Sequence, residues 1–277
     1  MPIQICSVSF DIHNNTRFYS LNNAISKCRI VALDLSKKKI RPKEVNSLAE
    51  VPGLWTSLTE LDLSHNQIRH DSAKCLTGIL QQCTLLTSLN LKLNDIGPDG
   101  ATNFAAMLGR SQYTSLSRLN LGDNLIRSDG AISLAGVLGR SQYASLTRLS
   151  LGGNIIGPGG ATSLARVLPQ CSSLTRLNLR MNCIGADGAT SFAAVLPQCI
   201  SLTRLNLSMN HIGPDGATSI KAVLPQCTLL THLNLSLNCI GPDGVTSLEA
   251  VLSRSQCTSL TQLDLRYNSY LRYTSFT

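Results

Sequence analysis

Aromatic residues are scarce in this sequence: they make up 4% of its 277 residues and include a single tryptophan. Hydrophobic residues still reach 43%, so leucine, isoleucine, valine and alanine must fill the core. Small aliphatic side chains suit an architecture of many similar layers better than one bulky centre. The composition therefore favours a repetitive fold.

Long apolar runs are also missing, because no stretch reaches the roughly 18 consecutive apolar residues that predict a membrane-spanning helix. Met1 to Phe10 has no basic start followed by a long apolar run, so the sequence predicts no secretory signal. We therefore expect a cytoplasmic protein without a membrane span. The net charge of +8 and the pI near 9.1 indicate an acidic partner or surface.

The cysteines lack the spacing of a metal or redox site, since no two of them form a CxxC pair. The ten residues are Cys6, Cys28, Cys75, Cys83, Cys171, Cys183, Cys199, Cys227, Cys239 and Cys257. Without a secretory signal, reduced thiols in a cytosolic setting are the expected state.

Motifs that carry catalysis are missing as well. The sequence has no P-loop, no GxGxxG, no HExxH and no GxSxG. Its five histidines show no metal-ligand spacing; they are His13, His65, His70, His211 and His232. We therefore predict that the protein is not an enzyme and has no cofactor and no metal.

A repeat dominates what the sequence does contain. An LxL triplet returns every 28 or 30 residues, with its first leucine at Leu33, Leu61, Leu89, Leu119, Leu149, Leu177, Leu205, Leu233 and Leu263. Five residues later comes an asparagine in every unit but the first, which has Lys38; the asparagines are Asn66, Asn94, Asn124, Asn154, Asn182, Asn210, Asn238 and Asn268. Agreement over so many spacings indicates nine structural units.

Each part of the unit has a predicted role. The triplet alternates at the strand period, so its leucines point inward, and the asparagine amide satisfies backbone groups that the following turn leaves unpaired. A Gly-Pro-Asp-Gly segment then predicts a helix start, where an aspartate is placed to cap the helix. These aspartates are Asp99, Asp129, Asp187, Asp215 and Asp243. A helix of about two turns follows, and Pro169, Pro197 and Pro225 stop it in three units.

Stacking such units predicts an α/β solenoid of about nine repeats of 28–30 residues. Strands stack about 4.8 Å apart and helices about 8–10 Å apart, so the stack bends into a horseshoe with parallel strands on its concave face and helices on its convex face. We expect an N-terminal cap at 1–28, with a short helix at 21–25, the repeat domain at 29–268, and a tail at 269–277. The last unit is capped either by a partner or by an aromatic-rich cluster: Tyr267, Tyr270, Leu271, Tyr273 and Phe276.

The pattern LxxLxLxxNxIGxxGxxxLxxxL resembles the ribonuclease-inhibitor subfamily of leucine-rich repeats, and Leu174 to Gly188 is a close match to it. The resemblance covers residues 29 to 268 and extends to the repeat regions of NOD-like receptors, to the Ran GTPase-activating protein and to effectors that intracellular bacteria deliver into host cells. It implies a protein-binding horseshoe that serves as an inhibitor, a sensor or a secreted effector, the last in the host cytosol. It names no particular partner.

The candidate binding site follows from the inward leucines, because the residue before each triplet then faces the hollow. On four consecutive strands that residue is Arg118, Arg148, Arg176 or Arg204. Guanidinium groups about 5 Å apart repel by about 0.8 kcal/mol per pair in water, so the row favours the docking of an acidic surface. The alternative is that these arginines are solvated surface residues without a binding role, which were duplicated together with the repeat unit. The other predicted contacts are Arg180, Lys92, His232, Arg266 and Tyr267, and glycines at 122, 152 and 153 flatten the middle of the face.

Three hypotheses for function remain. The leading one is a monomeric, non-catalytic module that binds an acidic protein on its concave face. The first alternative is regulation of a small GTPase, although no acidic tail follows the repeats and no single rim arginine stands out. The second is nucleic-acid binding, which the charge fits, but the concave columns lack the aromatic side chains on which single strands stack.

Overall fold

The structure is a computed structural model that describes residues 7–9, 30–49, 55–109, 115–140, 145–253 and 259–269. In these residues strands and helices alternate along the chain. The strands form one sheet in chain order, and each pairs in parallel with its sequence neighbour. The predicted solenoid is therefore confirmed.

The sheet contains ten strands of three residues each among the described residues. They are β1 (Ser7–Ser9), β2 (Ala32–Asp34), β3 (Glu60–Asp62), β4 (Ser88–Asn90), β5 (Arg118–Asn120), β6 (Arg148–Ser150), β7 (Arg176–Asn178), β8 (Arg204–Asn206), β9 (His232–Asn234) and β10 (Gln262–Asp264). Strand β1 precedes the nine repeats and pairs with the first of them, Val8 opposite Leu33. The predicted helix at 21–25 and the cluster from Tyr270 to Phe276 lie outside the described residues.

One helix follows each of strands β2 to β9. They are α1 (Pro42–Ala49), α2 (His70–Leu80), α3 (Gly97–Leu108), α4 (Arg127–Leu138), α5 (Gly157–Val167), α6 (Gly185–Val195), α7 (Gly213–Val223) and α8 (Gly241–Ser253). Across the described part of the chain, no helix has both the length and the apolar character needed to cross a bilayer.

The helix starts differ from the sequence expectation. Helix α3 begins at Gly97, with Ile96 at the N-cap, and no side chain caps it. Asp99 therefore lies inside the first turn and cannot cap it, and the same holds for Asp129, Asp187 and Asp215; Asp243 likewise lies in the first turn of its helix. The prediction of aspartate caps was wrong, because each of these helices begins two residues ahead of its aspartate. The carboxylates still favour the positive end of the helix dipole, each by about 0.3–1 kcal/mol.

The helix ends agree with the prediction. Helix α5 ends at Val167, and a 3-10 turn at Leu168–Gln170 containing Pro169 follows it. Pro197 and Pro225 occupy the same place in the turns Leu196–Gln198 and Leu224–Gln226. Proline at these positions prevents the α-helix from continuing, because it cannot donate the backbone hydrogen bond.

The triplet leucines form the core as predicted. Leu61, Leu89 and Leu119 are each 2% exposed and lie opposite one another in the strand register. The second leucine of the triplet and the isoleucine after the turn are buried beside them, as Leu91 and Ile96 illustrate; in the last unit Leu263 and Leu265 are only partly buried. Full burial of one such side chain contributes about 1.5–3 kcal/mol, and the column repeats it in every unit from β2 to β9.

The asparagine of the turn is buried and bonded to backbone, which confirms its predicted role. Asn154 donates from Nδ2 to the carbonyl oxygens of Leu121, Leu151 and Gly152 at 2.9, 2.8 and 3.3 Å. The backbone N–H of Asn154 in turn donates to Oδ1 of Asn182 in the next unit, at 3.0 Å. Each asparagine thus joins its own turn to the units on either side.

The cysteines in the described residues are free thiols, seven in number. Burial raises the pKa of Cys83 to about 12 and that of Cys171 to about 11, whereas Cys183 is exposed. Each buried thiol contacts a helix carbonyl, as Cys83 Sγ does with Ile79 O at 3.5 Å. The buried cysteines are therefore packing residues.

Alkaline pH should destabilise the protein through these thiols. The folded pKa of Cys83 lies above the ordinary value of 9.0, so its contribution is intact below pH 9 and is lost as the pH rises from 9 towards 12. We expect this one thiol to account for about 2 kcal/mol of the lost stability at pH 10.5. Urea denaturation at pH 8 and 10.5 measures the loss, which Cys83→Ala should reduce and Cys183→Ala should not. An equal pH dependence in both variants would contradict the assignment.

Candidate functional site on the concave face

The concave face carries a continuous row of arginines, one at the start of each strand from β5 to β8. Arg118, Arg148, Arg176 and Arg204 lie opposite one another in the strand register, and His232 continues the row on β9. All four arginines are exposed, while the leucine after each is buried. The strand alternation thus holds the guanidinium groups on the open side of the sheet.

The arginines differ in their partners. Arg118 donates to Glu60 at 2.8 Å, reaching across β4 to a strand two positions away. Among the described residues Arg148, Arg176 and Arg204 form no ion pair. Three adjacent cations are therefore left without a counter-charge, and an acidic ligand would relieve their mutual repulsion.

The floor beside the row is polar and fixed. Asn178 Oδ1 accepts a hydrogen bond from the backbone N–H of Arg180 at 3.1 Å, and its Nδ2 donates to Ser150 Oγ at 3.4 Å. On β8, Asn206 Oδ1 accepts both the backbone N–H and the hydroxyl of Ser208. These bonds hold the asparagine side chains in place along the face.

An open groove of roughly 630 Å³ runs along this face from β4 to β10. Its walls include the whole arginine row, His232 and the asparagine column, and it ends against Gln262 and Asp264. His232 is half-buried, and its Nδ1 lies 2.8 Å from the Thr231 hydroxyl. The groove brings together five of the nine predicted contact residues.

The other four predicted contacts lie outside the lining of the groove, at the ends of the strands. Lys92 pairs with Asp123 at 3.5 Å, and Arg180 Nη2 donates to Met209 Sδ at 2.9 Å. Tyr267 is 69% exposed. Arg180 and Tyr267 thus remain open to a ligand, whereas Lys92 already has a counter-charge.

Arg266 is also neutralised within its own unit. Its guanidinium bonds both carboxylate oxygens of Asp264, at 2.9 and 2.7 Å. The side-chain hydrogen bond from Arg266 lowers the pKa of Asp264 and raises that of Arg266, so both stay charged. Such a pair has less to offer an acidic partner than the free arginines of the row.

Acidic residues at the two ends of the face are the feature that sequence reasoning missed. Glu60 and Asp62 lie on β3, Asp34 lies on β2, and Asp264 closes the other end. The backbone hydrogen bond from Ser36 lowers the pKa of Asp34, so it stays ionised. The face is therefore basic in the middle and carries carboxylates at both ends, of which Glu60 and Asp264 are already paired with Arg118 and Arg266. These carboxylates are visible in the strand columns of the sequence.

Comparison with known proteins gives a family and a fold. The family model described as Leucine Rich repeat matches residues 56–76, 82–105, 114–135, 144–165, 170–193, 198–221, 226–248 and 256–271. No curated protein matches the sequence.

Solved structures similar to the chain include a yeast complex and an actin-binding region. The complex of Rad7 and Elc1 in yeast matches at 18% identity with a TM-score of 0.51, over 88% of this chain and 65% of that one. Actin-binding site 2 of leiomodin-1 matches at 19% identity with a TM-score of 0.44, over 50% of this chain and 79% of that one. At these identities the likeness to the Rad7 complex concerns the fold alone.

Proposed function

Because the chain belongs to the leucine-rich-repeat family, we propose that it is a non-catalytic module that binds an acidic protein surface on its concave face. The carrying observation is the set of three exposed arginines, Arg148, Arg176 and Arg204, that lie side by side without a counter-charge among the described residues. Arginine suits this role because its planar guanidinium grips a carboxylate with two parallel hydrogen bonds.

The finer affiliation is part of the same proposal. We place the chain in the ribonuclease-inhibitor-like subfamily, and the segment from Leu174 to Gly188 supports this, since it follows the subfamily pattern residue by residue. The free thiols of the described residues suit a reducing, cytosolic compartment. The net charge of +8 opposes self-association, which supports a monomer.

Reversing the charge of the row tests the proposal. In the variant R148E/R176E, we expect affinity for poly-L-glutamate to fall at least about thirtyfold, roughly 2 kcal/mol, because two attractive contacts become repulsive. Isothermal titration at two salt concentrations measures it, and capture from a cell lysate with mass spectrometry then identifies the natural partner.

The matched control is R127E/R166E, which changes the net charge equally. Both of its arginines are exposed residues of α4 and α5 outside the groove. It should lower the affinity only slightly, through the overall field. An equal loss of affinity in both variants would mean that binding depends on the net charge and not on the arginine row. Tighter binding of RNA than of polyglutamate would favour the nucleic-acid alternative.

A further inference from the structure

A second stripe of side chains runs along one rim of the solenoid, at the turn that follows each strand. It consists of the large apolar residues next to the buried asparagine, and we call it the apolar rim. Its members are 40–49% exposed: Leu93, Leu125, Ile155, Met181 and Leu237. They come from five different units: Leu93, Met181 and Leu237 directly precede the asparagine, whereas Leu125 and Ile155 directly follow it. The turns at this edge thus expose apolar side chains that are far apart in sequence.

The backbone conformation of these residues is unusual for apolar side chains. Leu93, Leu125 and Ile155 have φ of 54–55°, in the left-handed region, where a residue with a side chain costs about 1–2 kcal/mol and a β-branched one is an outlier. The fold needs this conformation in every turn, but not an apolar residue, since His65 and Asp123 adopt it too. Exposure and backbone both disfavour leucine and isoleucine here, which indicates selection for a contact.

A shallow trough separates the apolar rim from the arginine row. Its floor consists of the residues after the triplets, which are small in four of the units (Gly122, Gly152, Ser208 and Ser236), whereas β7 contributes the exposed Arg180. Gly122 and both serines are buried, and the backbone oxygen of Gly152 lies 3.4 Å from where a Cβ on Gly122 would be. Small residues keep this floor low on either side of β7, and Arg180 adds a further positive charge between the basic wall and the apolar wall.

We propose that the trough binds an acidic amphipathic α-helix of the partner protein, laid across the strands. This inference rests on the proposed function, because the arginine row supplies one of its two walls. Acidic side chains on one face of the helix would meet Arg148, Arg176 and Arg204, and an adjacent apolar face would cover Ile155 and Met181.

The spacing supports a helix. Adjacent strands lie about 4.8 Å apart and one helical turn rises about 5.4 Å, so each turn offers one side chain to each unit. Across the four strands of the row the mismatch reaches only about 2 Å. An extended peptide presents a side chain to the same face every 6.6 Å or so, and over the same four strands its mismatch grows to about 5 Å.

The charge supports a protein partner over a membrane. The free arginines line the groove in the hollow, where a bilayer cannot follow. Near the middle of the apolar rim, Asp123 neutralises Lys92 and Asp95 lies close to Arg69. The exposed Lys37 and Lys39 lie in the corresponding turn of the first unit, four units before Ile155. A second copy of this chain would bring its own surplus of positive charge to the row.

Synthetic peptides test the helix directly. The probe is a 21-residue helical peptide with glutamate on one face and leucine on the adjacent face. One control replaces the leucines by glutamine, and another carries a central proline. We expect the probe to bind about tenfold more tightly than either control in fluorescence anisotropy. If the proline peptide binds as tightly as the probe, the inference that the bound segment is helical is wrong.

The protein variants separate the two proposals. I155S/M181S should weaken the probe about tenfold and leave the leucine-free peptide unchanged, whereas R148E/R176E should weaken both. The matched control is I132S/L229S, whose side chains are 47% and 50% exposed away from the rim, and it should weaken neither. Circular dichroism and thermal melts verify that each variant is folded.

Each remaining outcome of the variant measurements decides between the rim inference and the proposed function. If I155S/M181S binds the probe normally and R148E/R176E does not, the rim inference fails and the proposed function stands. If both variants bind normally, both fail. Loss of binding to vesicles with 30% phosphatidylserine in I155S/M181S, without loss of the probe, would make the rim a lipid contact. A wild-type dimer in light scattering that I155S/M181S abolishes would assign it to self-association.

Discussion

Replacing Asn182 by alanine is expected to lower the free energy of unfolding by about 4 kcal/mol, because it leaves several buried backbone groups unpaired at about 1–3 kcal/mol each. Asn182 Nδ2 donates to the carbonyl oxygens of Leu151, Leu179 and Arg180 at 2.9, 3.0 and 3.3 Å. Its Oδ1 accepts the backbone N–H of Asn154 at 3.0 Å. Urea denaturation followed by circular dichroism measures the change.

The matched control is Asn178→Ala, four residues earlier in the same unit. Asn178 is half-buried on the concave face, and its Nδ2 makes a single bond of 3.4 Å to Ser150. We expect Asn178→Ala to cost less than about 1 kcal/mol, since water replaces its lost bonds. Similar costs for the two variants would mean that the buried asparagine does not organise the turn.

The asparagines act together because they form a ladder through the solenoid. From Asn124 to Asn268 each backbone N–H donates to Oδ1 of the asparagine in the next unit, over distances of 2.7–3.0 Å. Asn124 Oδ1 has no partner in the part of the chain that the structure describes, so the ladder begins there. Loss of one member in the middle therefore loosens two neighbouring units.

The repeat and its core were predictable from the sequence, because only one arrangement buries both leucines of every triplet. Alternation at the strand period puts Leu61 and Leu63 on one side and Asp62 on the other, and the structure shows the same division. The role of the asparagine was predictable for the same reason: a buried turn needs a side chain that both donates and accepts.

Contacts between units were not predictable from one unit. The ion pair between Arg118 and Glu60 spans 58 residues, and it depends on two side chains meeting across a third strand. Strand β1 escaped detection because Ser7–Ser9 lacks the LxL triplet. The paired state of Lys92 likewise depends on Asp123 in the next unit. Such pairs decide which predicted contact residues stay available.

The role of the second glycine of the Gly-Pro-Asp-Gly segment also depends on contacts between units, which one unit does not predict. In the sequence it reads as a helix breaker, but Gly216 lies within α7 and is buried. A Cβ added to Gly216 would lie 2.6 Å from Ile212 Cγ2, 3.0 Å from Ala189 Cβ and 3.2 Å from Ala186 Cα. The glycine is therefore required by the close approach of two neighbouring helices, α6 and α7.

Gly216→Val should consequently destabilise the protein by about 3 kcal/mol, because overpacking a filled site forces backbone shifts. Gly136→Val provides the matched control: Gly136 lies in α4, and nothing lies within 4 Å of an added Cβ. Valine has a slightly better helix propensity than glycine, so this variant should stay within about 0.5 kcal/mol of the wild type. Urea denaturation of both variants measures the contrast. Equal stability of the two would mean that the helices tolerate wider separation, and that helix spacing does not set the stacking of the repeats.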